Sequence, residues 1–148
     1  QVATIQKSVT AAQKAPSPAS SVTATIVISG SPNFSFKSTQ SVLQHTAGGN
    51  FLLNAAQTAG SGTGTTLHSL AFGIYGLASG PNTVSGSDGE YSRAGLAGSG
   101  AFSVTTSSLQ LNWDTAHKLV SGTFTLGLHE QSGTRTGSVT GSFTLYYQ

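Results

Sequence analysis

Cysteine and methionine are both missing from this 148-residue chain, and charged residues make up only 7% of it. Without cysteine there can be no disulfide framework, no thiolate zinc site and no thiol nucleophile. The charged fraction lies far below the ~25% usual for a soluble globular domain. Six basic and four acidic residues give a net charge of +2. The cations Lys7, Lys14, Lys37, Arg93, Lys118 and Arg135 are scattered along the chain. They form no stripe that could neutralise a phosphate backbone, which excludes a nucleic-acid reader. Four carboxylates leave little for general acid–base pairs, and no G-x-S-x-G elbow is present, so the expectation is a protein that is not an enzyme. No apolar run approaches the roughly 18 residues needed to span a bilayer as a helix.

What fills the chain instead is Ser, Thr, Gly and Ala with regularly spaced β-branched and aromatic residues. Thr, Val, Ser and Gly are poor helix formers, and orderly apolar alternation at low charge is the wrong signature for disorder. The clearest element is a pair of look-alike segments, Val120-Ser121-Gly122-Thr123-Phe124-Thr125-Leu126 and Val139-Thr140-Gly141-Ser142-Phe143-Thr144-Leu145. Both alternate with a period of two, which predicts strands with one buried face and one wet face. The polar stretch Glu130 to Arg135, with Gly133 at its centre, predicts the hairpin loop between them. Further strands are expected at Val22 to Ile28, around Phe34 and Phe36, at Phe51 to Ala55, and at Leu70 to Ile74. Others are expected near Val84 and Tyr91, at Phe102 and Val104, and at Leu109 to Trp113. A polar stretch follows Phe36, and Gly80-Pro81-Asn82 is taken as a turn. Eight to ten short strands at regular intervals predict an all-β fold, an immunoglobulin-like or jelly-roll antiparallel β-sandwich occupying 22–148.

Ahead of that domain, 15–21 form a Pro/Ser linker, because Pro16 and Pro18 favour extended geometry. Residues 1–14 form an N-terminal extension in which Ala3, Ile5, Val9 and Ala11 share one strand face. A short amphipathic helix is the competing reading, since Ile5, Val9 and Ala12 also share a helical spacing. The absence of an initiating Met at Gln1 suggests a chain matured by signal-peptide removal, hence secreted.

Chemistry-bearing signals are few. Gly60-Ser61-Gly62-Thr63-Gly64 lacks the lysine of a phosphate loop and is expected to be a hairpin tip. His45, His68, His117 and His129 show no paired ligand spacing, and Asp88-Gly89-Glu90 offers too few ligands for calcium. No metal and no cofactor are therefore expected. Asn33-Phe34-Ser35 fits the N-glycosylation pattern. Asp114-Thr115-Ala116 resembles the Asp-Thr-apolar acceptor of the general O-glycosylation system of Bacteroidota, making Asn33 and Thr115 the glycosylation candidates.

Two resemblances follow from these segments. The strand from Gly98 through Val104, the Ser108-Leu109 strand leading to Lys118, Val120 to Phe124 and the closing Gly141-Ser142-Phe143 resemble a family of secreted Bacteroidota β-sandwich proteins, often lipoproteins. This chain lacks the N-terminal lipidation cysteine of that family. In general plan, the 2–12 segment, its linker and the terminal strand resemble donor-strand pilins. That second resemblance implies an extracellular subunit which polymerises head to tail by donating its N-terminal strand to a neighbour. The alternative expectation is a monomeric secreted sandwich that binds glycan, with Trp113, Tyr91, Tyr75 or Tyr146 as stacking platforms.

Overall fold

The computed structural model describes residues 21–59, 66–95 and 99–147. The donor-strand candidates Ala3, Ile5, Val9 and Ala11, the proline spacer and the Gly-rich 60–64 stretch lie outside the described residues. Ten strands make up the fold: β1 (Ser21–Ile28), β2 (Phe34–Lys37), β3 (Gln40–Ala47), β4 (Asn50–Ala59), β5 (Thr66–Ile74), β6 (Gly80–Val84), β7 (Gly89–Ala94), β8 (Gly100–Asp114), β9 (Leu119–Glu130) and β10 (Thr136–Tyr146). All the strand pairings in the sheet are antiparallel, in the order β2-β1-β10-β9-β8-β7-β5-β4-β3, with β6 paired to β8.

The all-β antiparallel fold is as the sequence indicates, and its finer layout is a meander curled on itself. β2 pairs with β1, the chain bends at Ser38 and Thr39, and β3 then pairs with β4. The bend is fixed by Ser38 N–H donating to the Val22 carbonyl and Thr39 N–H to the Ala56 carbonyl, at 2.9 and 2.8 Å. β6 and β7 likewise lie along two halves of β8. The ends of the sheet meet where Leu43 bridges in parallel to Tyr147. A strand that switches partners at a bend is how a curled sheet turns its corners.

The look-alike segments pair with each other as β9 and β10. In their register Gly122 faces Phe143 and Phe124 faces Gly141, while Val120 faces Leu145 and Leu126 faces Val139. Each phenyl ring thus has a glycine beside it on the neighbouring strand, and the two rings lie 6.1 Å apart. The inner residues Val120, Phe124, Leu126, Val139, Phe143 and Leu145 are all buried. They join Val22, Ile26, Phe51, Leu53, Leu70, Phe72 and Phe102 in one continuous core. The hairpin loop is closed by Arg135, whose Nε and Nη2 donate to both oxygens of Glu130 at 3.1 and 2.7 Å. That fork holds the Glu130 carboxyl below the ordinary glutamate range.

Ser87 sits in the break between β6 and β7, buried, with its N–H donating to Ser107 Oγ at 2.9 Å. Its own hydroxyl has no partner among the described residues. Removing an unmatched buried hydroxyl removes a desolvation penalty. Ser87→Ala should therefore leave stability unchanged or raise it by up to about 1 kcal/mol, read from the urea midpoint.

Candidate functional site

The outer faces of β4, β5 and β7 form an open trough of about 410 Å³ that gathers polar groups with an aromatic ring. Its floor is made of small residues, Ala71, Gly73 and Gly89. A side chain at Gly73 would occupy the space taken by the Tyr75 ring, and one at Gly89 would run into the Ala71 carbonyl. Tyr75, 45% exposed, therefore lies down on the sheet surface. Its hydroxyl donates to Asp88 Oδ1 at 2.6 Å, and this bond raises the Tyr75 pKa. Asp88 and Glu90 stand two residues apart, so both project from the outer side of the sheet. Gln131 reaches across from the β9–β10 loop and donates to Glu90 Oε2 at 3.2 Å. Leu52 adds an exposed apolar wall. The trough offers one ring face, carboxylate oxygens that accept hydrogen bonds and an amide that can do both.

A second polar group lies inside the barrel. His68 and Arg93 face each other on β5 and β7, and both are buried together with Tyr91. Tyr91 Oη lies 2.7 Å from His68 Nδ1, and the Arg93 guanidinium hydrogen-bonds to the same phenol. Phe34 stacks on the His68 ring at 3.7 Å. Burial, and then the nearby Arg93 charge, lower the His68 pKa. The Tyr91 phenol is pushed up to about 12, chiefly by burial. Enclosed and bonded to one another, these side chains form an internal polar brace.

The sequence candidates separate clearly. Tyr91 is fully enclosed, so its ring has no face to offer a sugar. Trp113 is half-buried, donates from Nε1 to Tyr147 Oη at 3.0 Å and packs edge-on to Phe51 and His45. It pins the end of β10. Tyr75 and Tyr146 remain exposed, and Tyr75 stands beside other polar groups in a trough. Asn33 and Thr115 are both exposed in turns, the first between β1 and β2 and the second between β8 and β9. The Thr115 turn is held by His117, whose ring Nδ1 lies 2.7 Å from Asp114 Oδ2. Among the described residues no three His, Asp or Glu side chains converge as metal ligands, and no helix is long and apolar enough to cross a membrane. Gln131 escaped the sequence reading because a loop glutamine carries no local signal.

Fold and surface together define an all-β antiparallel protein with a barrel-like curled sheet and a polar–aromatic trough on its outer wall. No family model, curated protein or solved structure matches the chain.

Proposed function

We propose that the protein is an extracellular, non-catalytic carbohydrate-binding module whose sugar subsite is the trough on β4, β5 and β7. The observation that carries this reading is the Tyr75 ring lying flat beside Asp88, Glu90 and Gln131. A pyranose presents an apolar face that packs on an aromatic ring and a rim of hydroxyls that carboxylates and amides bind. Secretion and glycosylation at Thr115 or Asn33 accompany this reading, sugars then adding solubility to a charge-poor exterior. Glycan-array screening followed by titration tests it. Tyr75→Ala should weaken binding at least tenfold, about 1.4 kcal/mol, while the melting temperature stays unchanged because the ring is on the surface. Equal affinity in that variant would overturn the assignment.

The filament-subunit reading draws support from a different observation. β3 stands at one end of the pairing order and carries neither charge nor proline, and its Val42 is 58% exposed. Apart from the Leu43–Tyr147 bridge no strand pairs along its outer edge among the described residues, and such an edge is a template for strand addition. The core is covered by the protein's own strands, so a neighbour's N-terminal segment would extend this edge rather than fill an open groove. Electron microscopy of the full chain beside a version lacking 1–20 tests this. Filaments that vanish with the truncation and with Val42→Lys support it. Monomers from the full chain exclude it.

A further inference from the structure

The pairing of β9 with β10 has a local two-fold axis normal to the sheet, passing by Thr123 and Ser142, which face each other. That axis extends two strands further on each side. It carries β9 onto β10, β8 onto β1 and β6 onto β2. Gln110 pairs with Thr123 as Thr23 pairs with Ser142, and Asn112 pairs with Ser121 as Thr25 pairs with Thr140. Thr83 then pairs with Gln110 as Lys37 pairs with Thr23. The outer face therefore carries one cross-strand row, Thr83, Gln110, Thr123, Ser142, Thr23 and Lys37, every member exposed and only the last charged.

Two open troughs lie on this face, of about 440 and 400 Å³. Every residue lining the first has its two-fold mate in the second: Gly122 matches Gly141, Gln110 matches Thr23 and Asn112 matches Thr25. They are one trough occurring twice. The equivalent strands β8 and β1 stand three spacings apart, about 14 Å. Within the row the side chains make a single mutual contact, Thr23 Oγ1 to Ser142 Oγ at 3.5 Å. Their remaining donors and acceptors face solvent.

We infer that these troughs are two equivalent, weak sites for segments of a neutral polysaccharide, held in opposite directions. The inference rests on the carbohydrate reading above but uses a different face of the barrel. Hydroxyls and primary amides both donate and accept, as sugar hydroxyls do. The one charged residue lining either trough is Lys37 at the end of the row, so an ionic ligand finds no countercharge in the first. The spacing across strands is close to the length of one pyranose unit, so successive sugars can address successive strands. Because the axis reverses direction in the plane of the sheet, a chain bound alike at both sites runs oppositely in each. The protein then bridges two chain segments, and linking two weak sites raises avidity for polymer over oligomer.

The test is amide chemical-shift mapping of the full, isotope-labelled chain titrated with cellohexaose, mannohexaose and maltohexaose. The Gly122 and Gly141 amides should move together over one concentration range. Asn112→Lys, which fills one trough from an exposed position, should abolish the Gly122 shift and leave that of Gly141. Shifts confined to Tyr75, Asp88 and Glu90 would overturn the twin sites while upholding the subsite proposed earlier. Shifts at the two glycines without any at Tyr75 would do the reverse. Silence throughout the titrations would overturn both.

Discussion

Gly122→Val is expected to lower stability by about 3 kcal/mol, with a smaller urea midpoint and an unchanged slope. Gly122 has φ +148°, in a region that side chains of L-residues rarely adopt. A Cβ there would collide with the Gln110 carbonyl oxygen and come within 2.9 Å of Leu111 Cα. Both atoms belong to the backbone of β8, within the longest strand pairing, so neither can move without disturbing the ladder. On the other side Gly122 pairs with Phe143 of β10. Gly141 is the natural comparison. Its Cβ would meet the Thr23 carbonyl and would come within 2.6 Å of the Ala24 side chain, while its backbone carries no positive φ. Gly141→Ala should therefore cost less than Gly122→Ala, since it incurs the steric part without the conformational part. Equal stability of Gly122→Ala and the unaltered chain, measured by urea unfolding, would show that β8 yields and that the glycine is not required.

These glycines also explain why so much of the fold was legible. In each look-alike segment the glycine falls in the inward phase, where periodicity alone locates it, and its role depends on the register that the repeat itself supplies. Strand β3 was not legible for the opposite reason. Its inward positions are Ser41, Leu43 and His45, and its outward ones include the apolar Val42. Of the inward positions only Leu43 is a buried apolar residue, so the alternation is lost and the stretch looks largely polar. β6 was hidden by Pro81, a residue that argues against a central strand but is tolerated here because β6 pairs on one side only, with β8. Phe102 to Trp113 looked like two strands because the register slips between Val104 and Thr106, and the bulge shifts the apolar phase within one long strand. Of the site residues, Asp88 and Glu90 stood out by sheer rarity of carboxylates. Tyr75 and Tyr91 could not be ranked without phase. Tyr91 shares the inward phase of β7 with Arg93, and Tyr75 follows the last inward residue of β5, Ile74. Arg93 and His68 in inward phase are the available signal for the buried brace, a weak one because such residues are mostly exposed in folded proteins.

That brace makes stability depend on alkaline pH. An unfolded tyrosine ionises near pH 10, whereas the folded Tyr91 phenol is pushed up to about 12. Between these values the unfolded chain has lost the proton that the folded chain retains, so stability falls as pH rises through that window. Below pH 10 the contribution is fully present, and two pK units set its upper limit at about 2.7 kcal/mol. His68 acts at the other end with the opposite sign. Its folded pKa is lowered, so on acidification the unfolded chain takes up a proton first, and stability falls as pH drops below the unfolded value of about 6.5. Tyr91→Phe separates the two. It leaves His68 Nδ1 buried without its phenol partner, a loss of about 1–3 kcal/mol at neutral pH. It also deletes the Tyr91 part of the alkaline decline, leaving that of the exposed Tyr75. Urea midpoints measured at a series of pH values should then show two curves that converge above pH 10, the variant lower at pH 7 and much flatter toward pH 12. Parallel curves across that range would mean that the phenol ionises equally in both states and that the brace does not govern alkaline unfolding.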